Sequence, residues 1–151
     1  MEHLALGRLL SAATRLVIER THADLAGAGH PGLRPAYGYA VYAISRRDLT
    51  TSGLGFELGM TKQGAAKLVA TLCELGYVDR HAHERDGRAQ VLALTPRGED
   101  LLRASAQAQD RIEHDLAELI GSEQMGDLRT ALERAVELGI DEDRVALRPI
   151  W

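Results

Sequence analysis

The chain has 151 residues, of which 45% are hydrophobic and 26% are charged. This length suits about one domain with an ordinary packed core. A run of about 18 apolar residues, as a transmembrane helix requires, does not occur, and the start MEHLALGRLL lacks the pattern of a signal peptide. We therefore expect a cytoplasmic protein, and the single cysteine, Cys73, suits a reducing compartment.

The formal net charge of -4 is distributed unevenly along the chain. Residues 1–50 contain 6 basic and 4 acidic side chains, residues 51–97 contain 6 and 5, and residues 98–151 contain 6 and 13. The acidic excess therefore belongs to the C-terminal part. The middle of the chain can still present a locally positive face to an anionic partner.

Two helices are predicted in the first part of the chain. From Leu4 to Ala26 apolar residues recur at helical spacing, which indicates a long first helix. The stretch GAGHPGLRP then interrupts the pattern, because glycine and proline disfavour regular hydrogen bonding. A second helix is expected over Ala36–Arg46.

The stretch that follows predicts a helix, a tight turn and another helix. Thr50 or Thr51 can cap a short helix ending at Leu58, Gly59 can adopt the left-handed turn conformation, and Thr61 can cap the next helix. That helix extends from about Thr61 to Leu75, and its expected buried positions are Ala65, Leu68, Val69, Leu72 and Leu75. The positions expected outside this stripe are Thr61, Lys62, Gln63, Lys67 and Thr71.

A β-hairpin is predicted next. Two alternating runs, Val78–His81 and Gln90–Leu94, flank a charged segment with Arg85, Asp86, Gly87 and Arg88 at its tip. Thr95 and Pro96 then suit the N-cap and the first position of a long helix that continues to Gly121. Ser122 can cap a last helix.

A helix, a turn, a second helix and a two-stranded wing in this order form a winged helix. The expected fold is therefore mainly α, with a small β-hairpin wing and about six helices. An α-helix fits the major groove of DNA, so the exposed residues of this helix are the candidates for DNA contact: Thr61, Lys62, Gln63, Lys67 and Thr71. Gln63 can pair with a base edge while Lys62 and Lys67 contact phosphates. An arginine at the hairpin tip can reach the adjacent minor groove, where the negative potential is concentrated.

The segment LGMTKQGAAKLVATLCELGYVDRHAHERDGRAQVLALTPRGEDLL resembles the MarR family of bacterial transcriptional regulators. The wing of that family has the pattern D-x-R and is followed by L-T-x-x-G, and the matching residues here are Asp86, Arg88, Leu94, Thr95 and Gly98. The resemblance implies that Arg88 contacts the minor groove and that Asp86 braces it. Arg85 is a second candidate for DNA contact, with a surface ion pair to Glu84 or Asp86 as its alternative.

Three glycines depart from the family pattern. Gly53 and Gly55 lie in the short helix, where each costs about 1 kcal/mol relative to alanine. Either the turn packs unusually closely there or that helix is soft. Gly64 lies early in the following helix, where it removes a side chain that could contact a base.

The resemblance further implies a homodimeric repressor of a pseudo-palindromic operator. Residues 49–96 would form the DNA-binding lobe, and residues 1–48 and 97–151 a helical dimerisation region. The C-terminal tail is expected to contact the partner subunit, because its large apolar residues are poor ones to leave in water: Val145, Leu147, Ile150 and Trp151.

Family members often bind small aromatic acids in a cleft beside the DNA-binding lobe, so a small-molecule effector is a further expectation. A guanidinium can hold a carboxylate and tyrosines can enclose a ring, which makes these residues the candidates: Arg15, His22, Tyr37, Tyr39 and Tyr42. The alternative for Arg15 is an ion pair with Glu19, and the alternative for Tyr37 is a place in the core.

Other functions have weaker support in the sequence. It contains no G-x-S-x-G, Walker phosphate loop, H-E-x-x-H or paired-cysteine motif, so it predicts neither an enzyme nor a cofactor. His81 and His83 lie on one side of a wing strand, without a metal-ligand set around them. Two alternatives remain open: a redox-responsive regulator acting through Cys73, and a winged helix that only binds proteins and has no ligand control.

Overall fold

The computed structural model describes residues 4–82 and 90–139. Its elements are, in order, α1 (Leu6–Gly27), α2 (Pro35–Arg46), α3 (Thr51–Glu57), α4 (Lys62–Glu74), β1 (Val78–Ala82), β2 (Gln90–Leu94), α5 (Pro96–Ile120) and α6 (Ser122–Gly139). The predicted mainly α fold with six helices and a hairpin is confirmed. The wing tip, with Arg85, Asp86 and Arg88, and the C-terminal tail lie outside the described residues, as does His83.

Three helices begin at threonine caps. The hydroxyl oxygens of Thr50, Thr61 and Thr95 each accept a hydrogen bond at 3.1 Å from the backbone N–H three residues further on. These caps satisfy donors that the first helical turn leaves unpaired, and they start α3, α4 and α5. Of the two candidates for α3, the cap is therefore Thr50.

Glycines with positive φ end all three of these helices, and the one after α5 is Gly121, at φ 94°. Gly59, at φ 64°, turns the chain between α3 and α4, and Gly76, at φ 74°, turns it from α4 into β1. Residues with a Cβ rarely adopt this conformation, so both turns depend on glycine.

The core packs α2, α3 and α4 against the hairpin and the start of α5. The predicted buried positions of α4 are confirmed except Leu75, which is 44% exposed. The expectation for Leu75 was wrong because this residue is the C-cap, and the reversal at Gly76 brings Tyr77 into the core instead. Tyr77 is 1% exposed, and its backbone N–H donates to the carbonyl of Leu72 at 2.9 Å.

The hairpin is anchored to the helical part by its second strand. The antiparallel strands pair in one register, with Val78 opposite Leu94 and Ala82 opposite Gln90. On its other edge, the N–H of Leu92 donates to the carbonyl of Leu49 at 2.8 Å, just before α3. The base of the wing is thereby held beside the helix-turn-helix.

The two long outer helices pack against each other. Arg111 of α5 forms an ion pair with Asp24 of α1 at 3.0 Å, and Arg20 of α1 forms another with Asp115 of α5. Many large apolar side chains of the outer helices are nevertheless exposed, among them Leu6, Leu9, Leu16, Leu119, Leu128, Leu132 and Val136. Nothing within the described ranges covers them. No helix in these ranges is long and apolar enough to span a membrane.

Candidate nucleic-acid interface

The outer face of α4 presents the polar residues that the sequence predicts for DNA contact. Lys62, Gln63 and Lys67 are exposed. The opposite face, with Leu68 and Leu72, is buried in the core and fixes the rotation of the helix. The three polar side chains therefore project away from the protein as a group.

The packing of α3 on α4 accounts for one of the unusual glycines. A Cβ built on Gly55 would lie 3.0 Å from the Cβ of Ala65, so the two helices approach closely at this point. A Cβ on Gly53 would meet only ordinary contacts, the nearest at 3.4 Å from the side chain of Leu49. Close packing therefore explains Gly55, and nothing in the structure explains Gly53.

The hydroxyl groups of two predicted contact residues, Thr61 and Thr71, already form hydrogen bonds within the protein. The Thr61 oxygen accepts the capping bond from the N–H of Gly64, although its own proton stays free to be donated. The Thr71 hydroxyl donates to the carbonyl of Lys67 at 3.0 Å, and its side chain is half-buried. Thr71 is thus less available for DNA contact than Lys62, Gln63 and Lys67, which are exposed.

Two alanines on the same face were not singled out from the sequence. Ala66 and Ala70 are exposed three and seven residues after Gln63, on one side of the helix. A methyl group at such a position can contact the methyl group of thymine. The helical spacing from Gln63 was the signal that could have identified them.

The base of the wing adds an exposed cation. In β1 only Val78 is buried, and Asp79, Arg80 and His81 are exposed. Arg80 pairs across the hairpin with Leu92, whose anchoring to Leu49 fixes its position near α3. Residues 4–82 and 90–139 contain no group of three side chains that could hold a metal ion around His81 or elsewhere.

The five candidate effector-binding residues occupy different environments. Arg15 is exposed, and its Nε lies 3.7 Å from Oε1 of Glu19. This is the ion pair that was the alternative to ligand binding for Arg15. Tyr37 and Tyr39 are half-buried against the core, whereas Tyr42 is 45% exposed. His22 is half-buried on α1, and this burial lowers its pKa below the usual 6.5.

A polar groove between α1 and α5 includes none of those five residues. Its lining is Arg20, Asp24, Asp110, Arg111, His114 and Asp115. Four of these side chains pair with one another across the groove, so much of its charge is already neutralised. Cys73 lies elsewhere, half-buried against the core at the end of α4.

The fold and this face together define a winged helix-turn-helix protein. Residues 32–89 match the model of the MarR family. An uncharacterized HTH-type transcriptional regulator of Mycobacterium leprae is 27% identical over 94 residues, which are 62% of this chain and 65% of that protein. The match thus spans slightly less than two thirds of the relative.

Solved structures share the fold over nearly the whole chain. The RV1404 protein of Mycobacterium tuberculosis aligns with a TM-score of 0.75 at 20% identity, covering 93% of this chain and 99% of that one. FabT of Streptococcus pneumoniae, solved in complex with DNA, gives 0.75 at 19% identity, covering 88% and 94%. Apo MarR of E. coli gives 0.69 at 18% identity, covering 89% and 98%. These findings confirm the resemblance to the MarR family that the wing and helix-turn-helix motifs indicated.

Proposed function

We propose that the protein is a transcriptional regulator that binds operator DNA as a homodimer. The observation that carries this proposal is the outward face of α4, on which Lys62, Gln63 and Lys67 are exposed together while the opposite face is buried. A helix of this kind fits the major groove, with lysines on phosphates and glutamine on a base edge, typically adenine. The solved complex of FabT with DNA has the same fold, which supports the assignment.

The distribution of charge agrees with an anionic partner despite the net charge of -4. From Lys62 to Ala70, α4 carries two lysines and no acidic residue. Acidic residues are concentrated in α5, α6 and the tail, where 13 of the 22 lie beyond residue 97. A local positive face attracts DNA even when the net charge of the protein is negative, because charges more than about 10 Å away are largely screened at 0.1 M salt.

A homodimer is supported by the exposed apolar side chains of the outer helices. Leu6 is 70% exposed and Leu119 is 79% exposed, and similar residues recur along α1, α5 and α6. Large apolar patches on a soluble protein mark interaction surfaces. A two-fold dimer would place its two recognition helices on half-sites about 34 Å apart, one turn of DNA.

We further propose repression that a small aromatic acid relieves. Such a ligand acts only to the extent that it binds the DNA-incompetent spacing of the two recognition helices more tightly than the competent one. The candidate contacts remain Arg15, His22, Tyr37, Tyr39 and Tyr42, although Arg15 must first release Glu19. A redox response through Cys73 and a purely protein-binding role are the alternatives.

The test is an anisotropy titration of the purified protein against its own upstream intergenic DNA, with random duplex as the reference and with salt varied. Specific binding should weaken steeply as salt rises, because neutralised phosphates release counterions. A protein-binding module would show neither the preference for one DNA nor the salt dependence. Oxidation of Cys73 before the titration distinguishes the redox alternative.

Three substitutions separate the expected roles. Lys67→Ala should weaken binding to all sequences and reduce the salt slope, while Gln63→Ala should cost about 1–3 kcal/mol of discrimination at one base pair. Arg88→Ala should weaken operator binding and leave the dimer intact. Arg134, exposed on α6, supplies the control R134A, which should bind like the wild type. Unchanged binding by all three interface variants would contradict the proposal.

A further inference from the structure

A buried polar cluster joins three separate parts of the chain. His30, in the connection between α1 and α2, is 2% exposed. Its Nδ1 lies 3.2 Å from the hydroxyl oxygen of Tyr77, and its Nε2 lies 3.0 Å from Oδ2 of Asp100. Tyr77 links α4 to β1, and Asp100 belongs to the first turns of α5. The imidazole ring therefore bridges the end of α1, the base of the wing and the start of α5.

The partners assign a direction to each hydrogen bond in this cluster. A carboxylate only accepts, so Nε2–H of His30 donates to Asp100. In the neutral tautomer that carries this Nε2–H, Nδ1 of His30 accepts the Tyr77 hydroxyl proton at 3.2 Å, while Arg97 Nη2 donates to the Tyr77 oxygen at 3.3 Å. One continuous chain thus runs from Arg97 through Tyr77 and His30 to Asp100. No buried side-chain polar atom in the described ranges lacks a partner.

Further contacts fix both ends of this chain. Arg97 also donates to the carbonyl of Gly29 at 3.1 Å, and its guanidinium lies 4.9 Å from the centre of the Tyr77 ring. Asp100 forms an ion pair with Arg103 at 3.3 Å. The backbone N–H of His30 donates to Leu25 at 2.9 Å, which attaches the ring to the last turn of α1. A movement of α1 relative to the wing would break these bonds together.

The backbone of Tyr77 lies where the recognition helix, the wing and α5 meet. Its N–H is bonded to Leu72 of α4, and its carbonyl accepts from the N–H of Thr95 at 3.1 Å. Val78, the next residue, begins β1. The orientation of the Tyr77 ring is therefore coupled to the orientation of α4 and of the hairpin.

We propose that His30, Tyr77 and Asp100 are positioning residues that set the angle of the recognition helix and wing relative to α1. A polar network with every group satisfied permits one arrangement, whereas an apolar contact tolerates sliding. In a dimer joined through the outer helices, this angle sets the separation of the two recognition helices. The importance of the angle for DNA recognition depends on the function proposed above, whereas the mechanical coupling does not.

Tyr77→Phe tests the coupling because it removes only the shared oxygen and keeps the buried ring. Asp100→Ala removes the acceptor at the other end, and Asp100→Asn is the conservative partner, since its amide oxygen can still accept from Nε2. Ser45→Ala is the control for loss of a hydroxyl, because that exposed side chain donates only to Tyr42 in its own helix.

The first measurement is amide hydrogen exchange on the free protein. In Tyr77→Phe and Asp100→Ala, exchange in residues 78–82 and 90–94 should accelerate about tenfold or more, the scale of losing a buried hydrogen bond. Exchange in α6 should stay at the wild-type rate, and Asp100→Asn and Ser45→Ala should resemble the wild type. An equal acceleration in all helices, or none in the hairpin, would overturn the proposal.

The second measurement is the ratio of affinities for two duplexes, one selected by the wild-type protein from a random-sequence pool and one unselected. Partial unfolding lowers both affinities equally and leaves this ratio unchanged. Misplaced recognition helices should lower the ratio, by about tenfold in Tyr77→Phe if one specific contact is lost. An unchanged ratio would refute the role in recognition. If the wild type selects no duplex, the proposed function fails, and the exchange experiment still decides the coupling.

Discussion

The requirement for glycine at position 98 comes from one backbone contact. A Cβ at this position would lie 2.2 Å from the carbonyl oxygen of Tyr77, far inside any normal contact distance. That carbonyl also accepts the N–H of Thr95, so neither the strand nor the start of α5 can move away easily. The glycine of the L-T-x-x-G pattern is therefore required by the close approach of α5 to the base of the wing.

Gly98→Ala should destabilise the protein by about 2–4 kcal/mol, because overlap with a fixed backbone atom belongs among the strongly destabilising changes. Chemical denaturation followed by circular dichroism measures the effect. Gly38→Ala is the matched control, since its Cβ meets nothing within 4 Å and it lies exposed in α2. The control should be neutral or stabilising by up to about 1 kcal/mol. Equal effects of the two changes would contradict this interpretation.

His22 should make stability dependent on pH. Burial lowers its pKa from 6.5, so the unfolded chain binds a proton more readily than the folded chain. With respect to His22, the free energy of unfolding therefore has its full value above the unfolded-state pKa of this residue. It decreases as the pH falls through the lower folded-state pKa.

Substitution by a residue without a titratable ring tests this dependence. His22→Gln should reduce the loss of stability between about pH 8 and pH 5, measured as the urea midpoint at fixed protein concentration. His81→Gln is the control for the loss of an imidazole ring, because that side chain is exposed on β1. A wild-type pH profile in His22→Gln would show that His22 does not contribute.

At the scale of elements, the helix-turn-helix depends on how closely α3 and α4 approach. Gly55 faces Ala65 across the contact, and small residues on both sides let the two helices pack closely. Gly53, two residues earlier in the same helix, has room for a methyl group. The two glycines of α3 thus differ in structural role although the sequence context looks similar.

This difference predicts opposite effects of one chemical change within one helix. Gly53→Ala should stabilise the fold by up to about 1 kcal/mol through helix propensity. Gly55→Ala should lose that gain and cost about 1 kcal/mol or more, because Ala65 must move to relieve a 3.0 Å contact. Thermal unfolding of the two variants side by side gives the difference. If both variants were equally stabilised, close packing would not be the reason for Gly55.

At the scale of the whole molecule, the proposed dimer explains why the outer helices are so apolar outside the core. A single chain leaves Leu132 of α6 42% exposed, together with the apolar side chains of α1 and the end of α5. Burial of such a side chain is worth about 1.5–3 kcal/mol, so covering several of them can hold two subunits together.

Leu132→Glu should therefore shift the protein toward monomer, since a carboxylate at an apolar interface is costly to desolvate. Sedimentation velocity over a range of micromolar concentrations measures the shift. Gln63→Ala, on the exposed face of α4, is the control and should sediment like the wild type. A wild-type protein that sediments as a monomer throughout this range would contradict the dimer itself.

The sequence by itself determined the features that depend on neighbouring residues. Threonine caps and the positive-φ glycines Gly59 and Gly76 are local, because the groups that stabilise them lie within a few positions. The exposed face of α4 followed from its helical period in the same way.

Only the tertiary structure decided which distant groups meet. It placed Tyr77 in the core in place of Leu75, joined His30 to Asp100 across 70 positions of sequence, and gave Gly55 and Gly98 their close contacts. Such contacts depend on the relative placement of whole elements, which is set by packing across the core and leaves no periodic signal in the chain.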